Sequence, residues 1–176
     1  GELMGDHHLF RKALPYEGSA GVPFIIRPPA GFEGLERDTV EEPVELRDIL
    51  PSILDAAGAP IPDSVEGQSI LPLLRGEEPE WREHIHGEHP YGERSNHWLA
   101  DGKEKYCWFS QTGEEQLFDL IKDPREVHNL ADENTDRLVF WRRRLIDELK
   151  DREEGYVRGG ELVTGVAASP VLKSVM

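Results

Sequence analysis

Near the start of the chain, the run GDHHLFRKALPYEGSAGVPFII places Asp6, His7, His8 and Lys12 close together. A histidine and carboxylate cluster of this kind can hold a metal ion, move protons or simply meet solvent. The spacing argues against the metal: neighbouring side chains of an extended segment point to opposite sides, so His7 and His8 do not converge, and no third ligand follows closely. Lys12 carries a more definite chemistry. Its ammonium offers three donors and a point charge, which suits the oxygens of a sulfate or phosphate ester. The Pro15-Tyr16-Glu17-Gly18 turn and the apolar run behind it would deliver that charge from the end of a sheet, where ligand sites of α/β folds concentrate. A second cluster, His84, His86, Glu88 and His89, has i, i+2 spacing that suits one face of a strand, and its polarity equally suits a solvated loop.

Several elements must position these residues. Val22 to Arg27 is a short β-branched and aromatic run between Gly21 and Pro28-Pro29, and it predicts a buried strand. Leu46, Ile49, Leu50, Ile53 and Leu54 recur at helical spacing, with Asp48 as N-cap, Pro51 tolerated in the first turn and Gly58 as the stop. The cluster Ile70, Leu71, Leu73 and Leu74 should pack onto that helix. Three strands are expected at 96–101, 104–110 and 114–118, joined by Asp101-Gly102 and Gln111-Thr112-Gly113 into an antiparallel meander. A helix from about Asn134 to 151 presents Leu138, Trp141, Leu145 and Leu149 on one face to cover it. The tail from Gly155 has no periodicity.

Composition narrows the classes of function. The 35 acidic against 20 basic residues leave a net charge of −15, which repels nucleic acid phosphates and anionic lipid surfaces, so neither nucleic acid nor membrane is an expected partner. No apolar run approaches the ~18 residues of a membrane span. The single cysteine, Cys107, lies in a predicted strand and reads as a core side chain.

Three stretches, in order, resemble the sulfatases of the alkaline-phosphatase-like superfamily. They are GELMGDHHLFRKALPYEGSAGVPFIIRPP, VELRDILPSILDAAGAPIPDSVEGQSILPLL and ADGKEKYCWFSQTGEEQLFDLIKDPREVHNLA. The resemblance covers roughly residues 1 to 150, and three ordered matches are more specific than any one of them. It implies an α+β chain: the end of an alkaline-phosphatase-like α/β sulfatase domain over 1–80, then over 81–176 a small antiparallel sheet packed on a C-terminal helix. It also implies a parent enzyme that hydrolyses sulfate esters of small molecules or glycans. Lys12 matches the lysine that contacts the sulfate oxygens, a catalytic and substrate-binding position. His7 and His8 match the G-D-H turn, and His86, with Glu88 in the HGEH stretch, matches a segment at the mouth of the site; all three histidines become substrate-binding candidates. Asp119, Asp123 and Asn129 fall at turn and cap positions.

Two departures qualify the match. Gly21 stands where the family often has an arginine, and the Cys/Ser-x-Pro-x-Arg motif that yields the family's formylglycine nucleophile does not occur. Gly1-Glu2 resemble the end of a Ser-Asp-His-Gly-Glu motif, so no metal ligand is assigned within these residues. Calcium and formylglycine are expected of the longer parent, and the chain alone is expected to be inert. A phosphonate monoester or phosphodiester hydrolase, and a non-catalytic assembly module, are the alternatives. An exposed edge of the 22–27 strand would invite self-association. Localisation is left open.

Overall fold

The computed structural model describes residues 1–28, 30 and 34–167. In chain order its elements are α1 (Glu17–Ala20), α2 (Ile49–Ala56), α3 (Leu71–Leu74), β1 (Ile85–His89), β2 (Asn96–Ala100), β3 (Glu104–Phe109), β4 (Glu115–Asp119), α4 (Thr135–Leu149), β5 (Val157–Arg158) and β6 (Glu161–Leu162). They gather into two compact units, one built from residues 1–23 with the chain from His86 onward, the other from residues 24–85. No described helix is long and apolar enough to cross a membrane.

In the first unit β1, β2, β3 and β4 lie side by side in that order. The pairs β2–β3 and β3–β4 are antiparallel, with Leu99 opposite Tyr106 and Tyr106 opposite Leu117. The expected meander is therefore present, to within a residue at its strand ends. β1 extends it, and its sequence, Ile-His-Gly-Glu-His, lacks the β-branched and aromatic residues that mark strands. Its glycine has a packing reason: a Cβ on Gly87 would lie 2.2 Å from the indole of Trp98.

Residues of β3 alternate between two covered faces. Tyr106 and Trp108, with Leu99 and Leu117, pack on Leu138, Trp141, Leu145 and Leu149 of α4. This is the face the helical spacing predicted. Cys107 and Phe109, with Phe118, meet Leu3, Leu14 and Tyr16 of the opening segment. A strand buried on both faces reads as a continuous apolar run, as Tyr-Cys-Trp-Phe does. Full burial pushes the Cys107 thiol well above its usual range, which leaves it an inert core side chain. The Nε1 of Trp141 donates to Glu104 Oε2 at 2.8 Å, and Arg137 pairs with the same carboxylate. Gly159 and Gly160, at φ 60 and 82, make the two-residue turn between β5 and β6. The tail thus holds a hairpin that its lack of periodicity concealed.

In the second unit the helix over 46–57 forms as a short 3-10 turn, Leu46–Asp48, running into α2, and Gly58 at φ 64 ends it. Its predicted apolar stripe is not buried within the chain. Leu46, Leu50 and Ile53 are 65, 53 and 59 % exposed. The reason is the fully buried Asp48, whose carboxylate accepts from the backbone of Glu45 and Gln68 and from both terminal nitrogens of Arg82 at 2.5 and 2.7 Å. Ser52, one turn on, bonds Asp48 O and accepts from Ile70 N. Those bonds turn the polar face of α2 toward α3. The cluster thus meets α2, as expected, through Ile70 and Ser52, while the apolar side chains of Ile70, Leu71 and Leu74 pack with Phe24, Leu35, Val40, Val44 and Trp81.

Although burial opposes ionisation of Asp48, Arg82 and the two amides outweigh it and hold its carboxyl below the usual range. Arg82→Met should therefore destabilise this unit by about 3–5 kcal/mol, because a buried carboxylate is left without its cation. Denaturant unfolding followed by Trp81 fluorescence measures this, and a shift under about 1 kcal/mol, the range of an exposed pair, would contradict the assignment.

The strand expected at 22–27 is not formed. No element is assigned there among the described residues, and Val22 and Ile25 are 44 and 86 % exposed. Proline at 23 removes a ladder donor, and no neighbouring strand among the described residues supplies partners. The strand edge expected to draw in a second copy is accordingly absent.

Candidate functional site

The segment with the first histidines folds through an unusual backbone. Met4, His7, His8 and Arg11 all have positive φ, at 49, 52, 59 and 71°. Each such residue costs on the order of 1–3 kcal/mol and persists only where its surroundings enforce it. Here Asp6 N donates to Leu3 O at 2.9 Å, Gly5 N to Leu9 O at 2.8 Å and Leu3 N to Arg11 O at 3.0 Å, around a buried Leu3. The His7 ring stacks on Tyr16 at 3.8 Å and 7°. Its Nε2 lies 3.0 Å from the carbonyl of Arg125, whose Nη2 donates to Asp6 Oδ1 at 3.1 Å.

A buried cation anchors this turn to the sheet. Lys105 lies on the face of β3 that the opening segment covers, and its side chain has no exposed surface. Its Nζ donates to Pro15 O at 2.9 Å and Glu17 Oε1 at 2.5 Å, and pairs with Glu126 Oε1 at 2.9 Å. The second oxygen of Glu126 accepts from Glu17 N at 2.5 Å. One ammonium therefore joins the sheet, the Pro15–Glu17 turn and the loop that carries Arg125.

An open cleft of about 780 Å³ lies over the turn, lined among others by His7, His8, Arg94, Gln116 and Arg125. The Arg94 side chain has no hydrogen-bond partner among the described residues. Arg125 is paired with Asp6, and Glu93 and Glu114 also line the cleft, so Arg94 is the guanidinium left open to an anionic ligand. Lys12 is exposed, makes no side-chain hydrogen bond among the described residues, and is not part of the cleft lining. Arg94 and Arg125 were not singled out in the sequence, because arginine in a loop carries no spacing signal.

His86 does not line the cleft. On β1 it shares a face with Glu88, and β2 brings His97 beside both: His97 Nδ1 is 3.3 Å from His86 Nε2 and 3.3 Å from Glu88 Oε2. Burial, and then the nearby charges of His86 and Arg152, lower the His97 pKa to about 3, so its ring is neutral. Arg152 holds Glu88 at 2.6 and 3.2 Å and also binds Glu154. Nothing in the HGEH spacing pointed to His97, which lies on the next strand. Asp119, Asp123 and Asn129 serve as backbone acceptors, for Ile121 and Lys122, for His128, and for Leu117 and Ala131 respectively.

Residues 5–154 match the family described as N-sulphoglucosamine sulphohydrolase, C-terminal. An arylsulfatase of Clostridium perfringens is 50% identical over 172 residues, covering 96% of this chain and 36% of the relative. Human arylsulfatase K is 36% identical over 148 residues, covering 74% of this chain and 26% of the relative. The chain thus spans about a third or less of the length of these relatives. Among solved structures, BT4656 in complex with its substrate D-glucosamine-2-N,6-O-disulfate shares the fold at TM-score 0.69 and 22% identity, covering 85% of this chain and 32% of that one. A phosphonate monoester hydrolase from Silicibacter pomeroyi superposes at TM-score 0.70 and 25% identity, covering 96% and 38%.

Proposed function

This chain belongs to the N-sulphoglucosamine sulphohydrolase C-terminal family, and from that premise we propose that it is the C-terminal portion of a sulfatase whose full-length form hydrolyses sulfate esters. The observation that carries the proposal is the 50% identity to an arylsulfatase across 96% of the chain. We assign residues 1–80 to the last part of the catalytic domain and 81–176 to the smaller C-terminal subdomain. The compact units divide elsewhere, because residues 1–23 gather onto the sheet.

In this reading Lys12 binds the sulfate oxygens and stabilises negative charge as the S–O bond breaks, the task of a fixed cationic donor. Its exposure and its lack of a side-chain partner among the described residues leave the ammonium available for that task. His7 is engaged by Tyr16 and the Arg125 carbonyl, so it shapes the turn. His8, exposed at the cleft, is the better substrate contact of the two. A sulfated sugar, the ligand of the BT4656 neighbour, would meet in the cleft the Arg94 guanidinium, unpaired among the described residues, beside a lining that also carries Asp6, Glu93 and Glu114.

A formylglycine nucleophile and calcium supply the remaining chemistry of such an enzyme. The chain has no Cys/Ser-x-Pro-x-Arg motif. The group of possible ligands that converges among the described residues, His86, Glu88 and His97, contains two imidazoles and does not match the oxygen preference of calcium. We assign both groups to the longer parent. The 176-residue chain alone is therefore expected to give no turnover of an aryl sulfate that the full-length protein cleaves. Turnover by the chain at a comparable kcat would overturn this division of labour.

A second reading has its own support. The phosphonate monoester hydrolase neighbour covers nearly all of the chain, and phosphonate and phosphodiester anions present the same lysine with similar tetrahedral oxygens.

A further inference from the structure

We propose that His86, Glu88 and His97 form a binding site for a zinc-class divalent cation at the β1–β2 margin of the sheet. The period of two along β1 puts His86 and Glu88 on one face, and β2, which borders β1, adds His97. One ligand atom from each of the three lies within 4.8 Å of the others. A tetrahedral zinc ion with bonds of about 2.0–2.1 Å requires ligand atoms about 3.3 Å apart. Two of the three separations already have that value, His97 Nδ1 to His86 Nε2 and to Glu88 Oε2, at 3.3 Å each.

In a neutral ring Nδ1 is either a donor or an acceptor. It bonds Glu88 as a donor or His86 Nε2 as an acceptor, and Arg152 holds both oxygens of Glu88. A cation between the three would take one lone pair from each. His97 is 3 % exposed, so its ring offers a ligand atom held away from bulk solvent.

A second, independent observation lies beside the cluster. A small cavity of about 30 Å³, the size of a single water, is bordered by Glu88, Asn96, His97, Glu154 and Tyr156. The cavity has room for one water as a fourth ligand beside Glu88 and His97. Arg152, on both oxygens of Glu88, orients the carboxylate from behind. Its positive charge weakens cation affinity, and the two imidazole ligands select against calcium and magnesium. The cation occupies Nε2 of His86, so this assignment replaces the substrate contact expected of that residue. It does not depend on the sulfatase reading.

Cobalt(II) titration of the chelator-treated 176-residue chain tests the site, with folding followed by circular dichroism. Expected are a saturable one-to-one set of visible d–d bands, displacement of cobalt by zinc, no displacement by calcium, and a rise in Tm with zinc. His86→Ala and Glu88→Gln lie on the edge strand rather than in the core, and each should lower affinity at least tenfold, whereas His128→Ala should not. His97→Ala removes a buried ring, so its result counts only if circular dichroism shows the native fold. Absence of a one-to-one band, or unchanged affinity in both His86→Ala and Glu88→Gln, overturns the proposal.

Discussion

Lys105→Met is expected to destabilise the first unit by about 3–5 kcal/mol, the cost of breaking a buried ion pair from one side. Against total stabilities of about 5–15 kcal/mol, this is a large fraction. The substitution removes an ammonium with no exposed surface and leaves the Glu126 carboxylate, 1 % exposed, without its cation. Glu17 contributes less, because its side chain is 42 % exposed and solvent screens the pair. The loss should be regional as well as global. Pro15 O and Glu17 lose their donor, so amide exchange should accelerate first at Glu2, Leu3, Gly5 and Asp6, the backbone donors of the strained turn. Adding Glu126→Gln to Lys105→Met should recover part of the stability, since the orphaned charge is gone. Denaturant unfolding measures all three proteins, and a loss under about 1 kcal/mol for the single variant would show that the ammonium is not desolvated as described.

Lys12→Ala in the full-length protein carries the second large effect, on catalysis. Removal of one charge-stabilising donor typically lowers turnover on the order of 10²-fold, equivalent to about 2.7 kcal/mol of transition-state stabilisation. If Lys12 acts on the charge that develops as the S–O bond breaks, the loss falls on kcat and on kcat/KM alike. A rise in KM with unchanged kcat would assign it to ground-state binding instead. The exposed side chain makes no hydrogen bond among the described residues, so stability should not change. Kinetics close to wild type would remove Lys12 from the site.

Much of this architecture was legible in the residues, for reasons that differ by element. Helix α4 was readable because Leu138, Trp141, Leu145 and Leu149 keep a 3.6-residue period, and all four are buried. The meander was readable because Asp101-Gly102 and Gly113 mark its turns, and Gly102 and Gly113 take positive φ at 86 and 79°. The second cover of the sheet was not, because Leu3, Leu14 and Tyr16 come from irregular backbone in which apolar residues have no period. α2 shows a different limit. Its stripe was identified from spacing, but the rotation of the helix is set by Asp48, whose partners Gln68 and Arg82 lie far along the chain.

The candidate site divides in the same way. Local chemistry singled out the His7 turn and Lys12, and the family resemblance named their roles. The cleft that the turn forms with Arg94 and Arg125, and the meeting of His86 with His97, depend on pairings between distant segments. Lys105 is the plainest case: within a strand of apolar neighbours a lysine reads as an edge or a solvated face, yet here it is the buried hub beneath the turn.

The ratio of kcat/KM for an aryl sulfate to that for an aryl phosphodiester, measured on the full-length protein, tests the functional account most directly. The sulfatase reading predicts that the sulfate ester is the better substrate. A ratio favouring the phosphodiester, or no hydrolysis of the sulfate, would contradict it and transfer the same lysine and cleft to phosphonate or phosphodiester hydrolysis.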